Sequence, residues 1–177
     1  STVVGARLRG AGDVVGYSVA ASLLDIGGYR DHSAARRESL NAKLRLQPGA
    51  GTLDLVLNHF NAPDAQDPLG LTRAQAWQDP NQASPVATQY DTRKSARQDQ
   101  LGAVYEWPFA AGHRLRAMAY GGRREVEQYL ALPIAAQANP LNAGGVIDLD
   151  NDYGGADLRW SWTGDLAGRA FELSAGV

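Results

Sequence analysis

Apolar side chains fall on every second residue in eight stretches of the chain. Thr2, Val4, Ala6 and Leu8 alternate with Val3, Gly5, Arg7 and Arg9; Val15, Tyr17, Val19, Ala21 and Leu23 alternate with Gly16, Ser18, Ala20 and Ser22. Leu40, Ala42, Leu44 and Leu46 are set against Asn41, Lys43, Arg45 and Gln47, and Leu53, Leu55 and Leu57 against Asp54, Val56 and Asn58. The pattern returns in Leu101, Ala103, Tyr105 and Trp107, in the segment HRLRAMAYGG from His113, in Ala156, Leu158, Trp160 and Trp162, and in Phe171, Leu173, Ala175 and Val177. A period of two belongs to extended chain with one apolar and one polar face. An all-β chain of about eight strands is therefore expected. In the sixth strand the pattern alone leaves open whether Leu115, Ala117 and Ala119 or Met118 and Tyr120 join the apolar side.

The connections sharpen this picture. RGAGD, QPGAG, PFAAG and TGDLAG are short and Gly-rich, as hairpins require, whereas the segments expected between hairpins, Gly27 to Glu38, Asn61 to Arg97 and Arg124 to Asp150, are long. Short and long alternate strictly, the asymmetry of an antiparallel up-and-down meander in a transmembrane β-barrel, with tight turns on one rim and extended loops on the other. Trp107, Trp160, Trp162 and Tyr105 stand near strand ends, where an interfacial aromatic belt would sit. A soluble sandwich gives no reason for this parity, and a soluble lipocalin-like binder fits poorly with loops so long and unequal. A complete eight-stranded outer-membrane barrel with a structural or adhesive role is the other alternative. Its interior must be filled by side chains, and the inward positions here are rich in Gly, Ser and Ala.

Composition removes several classes of chemistry. No cysteine is present among the 177 residues, so disulfides, thiolate metal sites and cysteine nucleophiles are all absent. A net charge of -2 is too balanced to attract nucleic acid. No window holds the roughly 18 apolar residues of a spanning helix, which leaves a barrel untouched. The sequence opens at Ser1 with neither Met nor a leader and stops at Val177 inside an alternating run, so residues 1–177 are expected to be a partial barrel domain.

Motifs for catalysis or cofactors do not survive inspection. GAGDVVG, Gly10 to Gly16, has the wrong spacing for a dinucleotide loop and no βαβ pattern follows it. DLDND, Asp148 to Asp152, offers alternating oxygens, but Tyr153 stands where a calcium loop needs Gly and Arg159 where it needs Glu, so the acidic run is expected to end an external loop. His32, His59 and His113 show no metal-ligand spacing, and Ser33 lies on no strand-turn-helix elbow. Neither an enzyme, a cofactor nor a metal site is indicated. The remaining signal is cationic: Arg30, His32, Arg36, Arg37, Arg93, Arg97 and Arg124 are expected on external loops, where planar guanidinium forks converge on an anionic ligand. Arg7, Arg9, Lys43, Arg45 and Arg159 occupy polar strand faces and are expected to line a lumen, because a charge facing lipid costs about 2 to 4 kcal/mol at the midplane.

Three phrases carry a family likeness: GYRDHSAARRESLNAKLRL, LNHFNAPDAQDPLGLT and AYGGRREVEQ. Over nearly the whole chain they resemble the central barrel region of TonB-dependent outer-membrane receptors of the ferric-siderophore and ferric-dicitrate type. In that group a strand ending in a GYR-and-Ser segment is followed by a strand pair and a loop with an NPxGLT-like phrase; here the phrase is DPLGLT, Asp67 to Thr72. The resemblance implies a bacterial outer-membrane barrel of about 22 strands, of which these eight form about a third, closed by a plug domain outside this sequence. It further implies import of a ferric-siderophore or similar iron chelate, energised by the TonB complex through that plug, with outer-membrane lipid as the other partner. No ligand-contacting residue transfers from the family to a position here.

Overall fold

A computed structural model describes residues 1–142 and 144–177. The strands are β1 (Thr2–Ala11), β2 (Val15–Ile26), β3 (Ala35–Leu46), β4 (Thr52–Gln66), β5 (Arg93–Ala110), β6 (His113–Tyr129), β7 (Val146–Leu166) and β8 (Arg169–Gly176). Short helices α1 (Arg73–Gln78) and α2 (Pro85–Tyr90) lie between β4 and β5, and α3 (Ile134–Gln137) lies between β6 and β7. All eight strands form one antiparallel sheet in sequence order, with β1 and β8 at its edges. The expected all-β meander is therefore what the chain forms.

Residues directly opposite one another in an antiparallel ladder share a face, so the register traces both sides of the sheet. One line runs Tyr17, Leu44, Leu55, Ala103, Ala119, Ala156, apolar at every step. The neighbouring line on the other side runs Arg7, Ala20, Asn41, Asn58, Gln100, Gly122, Tyr153. The ambiguous sixth strand is decided by this register. Leu115, Ala117 and Ala119 lie on the apolar face, opposite Trp160, Leu158 and Ala156, while Met118 and Tyr120 lie on the polar one.

The apolar residues make a level band only if the strands are tilted. On β2 the band is centred on Ala20, whose ladder line reaches Tyr153 on β7; the band on β7 is centred on Arg159, six residues further along after five strand-to-strand steps. At about 3.3 Å per residue and 4.8 Å per strand this drift corresponds to a tilt of about 40°, within the range of membrane barrels. The apolar run Leu101 to Phe109 on β5, projected at that tilt, is about 23 Å tall, close to the outward band of such barrels.

Few side chains of this sheet are buried. Among the described residues only Gly51, Ala87, Thr92 and Val126 are buried. Leu8 and Leu101, in the middle of the apolar face, are 62% and 61% exposed. Leucines and tryptophans interlocked in a dry core, as in a sandwich, are not found. At the short-turn end of the band, rings succeed one another across four strands: Trp107 to Phe109 at 5.5 Å, Phe109 to His113 at 5.7 Å, His113 to Trp160 at 5.7 Å and to Trp162 at 6.1 Å, and Trp162 to Phe171 at 5.8 Å. Trp160 Nε1 donates to His113 Nδ1 at 3.2 Å, which places a polar link inside this aromatic run.

The strands run further than the alternation indicated. β5 begins at Arg93 and β7 at Val146, and β4 and β6 extend to Gln66 and Tyr129. The acidic run Asp148 to Asp152 therefore lies within β7 and not at the end of a loop. Above the band the hydrophobic period breaks off on β5 and inverts on β6 and β7, where Val126, Ile147 and Leu149 register on the polar-face side and Glu125, Glu127, Asp148 and Asp150 on the apolar-face side, while the hydrogen-bonded ladder continues.

The division of faces is testable in the full-length protein folded into lipid vesicles. Leu55→Arg, at mid-band on the apolar face, should lower unfolding free energy by about 2 to 4 kcal/mol. Val56→Arg, one residue along on the polar face, should cost far less; equal losses would contradict the division.

Candidate functional site

Two loops of the long-loop rim fold onto each other. The β2–β3 loop, residues 27–34, starts with Gly28 at φ +76, where a Cβ would sit 1.9 Å from Ser33 Oγ. Glycine is the residue that accommodates both the positive φ and the close approach. Ser33 Oγ closes the loop on itself, accepting from the Arg30 amide at 3.2 Å and donating to the Arg30 carbonyl at 2.5 Å.

That closure aims the Arg30 guanidinium at the β4–β5 loop, residues 67–92. Its Nη1 donates to the Leu69 carbonyl at 2.7 Å, Nε to the Gln82 carbonyl at 3.0 Å and Nη2 to the Pro68 carbonyl at 3.3 Å. Leu69 is held at positive φ while Asp67 Oδ1 accepts from its amide at 2.9 Å, which turns these carbonyls toward the arginine. His32 Nε2 lies 2.8 Å from the Thr92 carbonyl, and the Asp31 amide donates to the Asn81 carbonyl at 2.7 Å. Beneath them the buried Thr92 donates its hydroxyl to the Asp67 carbonyl at 2.6 Å, beside the buried Ala87. The GYR and DPLGLT phrases thus meet in one lobe. Within it α1 is closed by a Thr72 and Gln75 capping box, and Pro85 opens α2.

Arg30 and His32 are accordingly spent on the lobe, bound to main-chain carbonyls. The other five cations expected on loops lie on strands, because the ladder continues above the apolar band: Arg36 and Arg37 on β3, Arg93 and Arg97 on β5, Arg124 on β6. The register divides them. Arg36, Arg93 and Arg97 stand on the same side as the apolar band, and each is neutralised there. Arg36 Nη2 donates to Glu38 Oε1 at 2.7 Å. Arg97 Nε donates to Asp99 at 3.0 Å, and that carboxylate also lies 2.5 Å from His59 Nδ1. Arg93 pairs with Asp91 and stacks 3.7 Å over Tyr129.

Arg37 and Arg124 stand on the polar side. Both are exposed, and neither has an ion-pair or hydrogen-bond partner among the described residues.

Lower on the polar face lies a belt of ion pairs that the sequence alone did not reveal. Arg45 faces Asp54 directly across β3 and β4, donating from Nε to Oδ1 and from Nη2 to Oδ2, each at 2.7 Å, and Lys43 reaches the same carboxylate at 3.1 Å. Arg116 joins Asp157 at 3.2 Å and Glu106 at 3.6 Å, with Arg159 at 4.0 Å from Asp157. Arg7 and Arg9 share this face on the edge strand β1. Between the belt and the upper arginines the wall carries Asn41, Asn58 and Gln100, and Tyr153 donates its hydroxyl to Gln100 Oε1 at 3.0 Å. Alternation gave the faces of Lys43, Arg45, Asp54, Asp157 and Arg159 but not that of Arg116 on β6 or of Gln98 and Tyr153; the cross-strand pairing that joins them depends on register, which no single strand encodes. Among the described residues no group of three or more His, Asp or Glu side chains is placed to hold a metal ion.

No protein-family model matches the chain. Two solved structures share its fold. The ferric citrate transporter FecA in its unliganded form aligns with 98% of this chain at a TM-score of 0.77 and 21% sequence identity. The ferric-catecholate import receptor Fiu from E. coli K12, in a closed form, aligns with 98% at a TM-score of 0.62 and 12% identity. The chain spans 25% and 30% of their lengths. At these identities the likeness establishes the fold: an antiparallel meander that matches a stretch of barrel wall in such receptors.

The lobe predicts coupled local opening. In the full-length protein, Arg30→Ala removes three charge-assisted bonds and should reduce the opening free energy of residues 27–34 and 67–92 together, by about 2 kcal/mol or more, read by amide hydrogen exchange. Unchanged protection in 67–92 would show that the two loops are independent.

Proposed function

We propose that this chain is part of the barrel wall of a TonB-dependent outer-membrane receptor that imports a ferric chelate of the siderophore or dicitrate type. The observation that carries the proposal is the division of faces. Across all eight strands one side is apolar over a level band and the other is polar and charged, on a fold shared with two iron importers.

In this reading the apolar side meets outer-membrane lipid and the polar side, with Arg7, Arg9, Lys43, Arg45 and Arg159, encloses the passage. The free edges of β1 and β8 belong to the same reading. A sheet edge in hydrocarbon leaves peptide groups without partners, so each edge takes a further strand. A closed eight-stranded barrel would instead join β1 to β8, and no such pairing exists among the described residues. The chemistry is binding and passage, without covalent turnover. Coupling to the TonB complex resides in a plug region outside these strands, and the iron arrives as chelated cargo.

The test is uptake by the whole protein in its host under iron limitation. Cells lacking it should take up radiolabelled iron from its chelate at the background rate, and collapse of the proton-motive force should reduce wild-type uptake to that same rate. Uptake that persists after the collapse would rule out an energised receptor.

A further inference from the structure

We infer that Arg169 and the indole N–H of Trp162 hold the phosphate of an anionic phospholipid at the short-turn rim, on the apolar side of the wall. The inference rests on the transport reading above, which sets lipid against that side, and it names the headgroup at one place there.

The turn between β7 and β8 sets the arginine at this level. Its two central residues, Ala167 and Gly168, have φ +56 and +78, the left-handed pair of a tight hairpin whose twist matches the strands. Arg169 is thereby the first residue of β8, directly opposite Leu166, on the side that carries Phe171 and Leu173. Arg159, the band centre on β7, faces Gly176, so one further strand step of the same drift centres the band on β8 at Ala175. Arg169, six residues lower, stands about 15 Å from the midplane at that tilt. That is the edge of a hydrocarbon core about 30 Å thick.

Two donors without acceptors meet here. Trp162 leans along β7 toward the rim: a Cβ on Gly164 would lie 2.7 Å from its Cζ2 and 3.0 Å from its Nε1, so the missing side chain is what admits the indole. Its N–H has no hydrogen-bond partner among the described residues, unlike that of Trp160, which donates to His113. Phe171, opposite Gly164 and 5.8 Å from the Trp162 ring, supplies the apolar wall of the site. Gly164 and Arg169 are one strand and two residues apart, about 8 Å, a gap that an arginine stem lying on apolar surface covers.

Arg169 is exposed, and the acids of the lower strands are turned away from it. Glu106, Asp157, Asp165 and Glu172 all register on the polar side, and Asp165 Oδ1 accepts from the Gly168 amide at 2.7 Å. A phosphate therefore meets a guanidinium and an indole N–H, a charge-assisted pairing that suits arginine. The ammonium of a zwitterionic headgroup finds no carboxylate on this side. Phosphatidylglycerol is accordingly favoured over phosphatidylethanolamine.

The experiment is native mass spectrometry of the full-length receptor released from mixed micelles holding equal amounts of those two lipids. The wild-type protein should retain phosphatidylglycerol preferentially. Arg169→Gln should lower that retention about tenfold, and Trp162→Phe, which keeps a ring and removes the N–H, about fivefold. Arg114→Gln, on the polar side of β6, should retain lipid as wild type. Circular dichroism confirms that each variant is folded. Equal retention of both lipids by the wild-type protein, unchanged retention in Arg169→Gln, or displacement of the lipid by millimolar inorganic phosphate would overturn the site. A receptor that imports its chelate yet shows no lipid preference loses the site and keeps the transport reading. One that retains phosphatidylglycerol through Arg169 but imports nothing does the reverse.

Discussion

Hydrocarbon offers no partner to a peptide N–H or C=O, so a chain crossing a bilayer as strands must satisfy each such group against a neighbouring strand. In the proposed barrel that requirement accounts for the ladder that runs from β1 to β8 and for register irregularities lying away from the middle of the apolar band, at Arg36/Glu38, Ala62/Ala65 and Trp107/Ala110. It also accounts for the near absence of buried side chains. A wall one sheet thick has no interior; backbone pairing and ion pairs across neighbouring strands hold it together, and in the proposed barrel lipid covers its apolar side.

What the sequence disclosed follows from the same physics. Alternation is imposed by a medium that differs between the two faces, so all eight strands and the facing of Leu55, Trp160 or Lys43 could be read directly. Where water lies on both sides the alternation loses its cause. β5 therefore continues through Arg97 with no hydrophobic signature, β7 continues through Asp150 with Ile147 and Leu149 on the face opposite to that of its lower apolar residues, and five arginines expected on loops belong to strands. The sixth strand was ambiguous because Met118 and Tyr120 are apolar enough to mimic the lipid side while standing on the polar one. The pairing of Leu115, Ala117 and Ala119 with Trp160, Leu158 and Ala156 separates the two choices.

Adjacent arginines show how much turns on a single step of extended chain. Arg36 and Arg37 read as one cationic cluster, yet the strand sends them to opposite sides, one to Glu38 and the other to open solvent. Conversely, residues far apart in sequence become one unit: Asp54 gathers Lys43 and Arg45 because the QPGAG turn fixes the β3–β4 register. Charge clusters in a β sequence are thus informative only after they are sorted by parity and register.

The lobe made by residues 27–34 and 67–92 has a bearing on how such a surface can change. Its cohesion comes from one guanidinium seated on three main-chain carbonyls, and those acceptors exist only while Asp67 and Leu69 keep their turn. A graft that replaced one segment without the other would therefore leave either an arginine with nothing to hold or a turn with nothing holding it. The two segments form one mechanical unit, in which neither loop keeps its shape without the other.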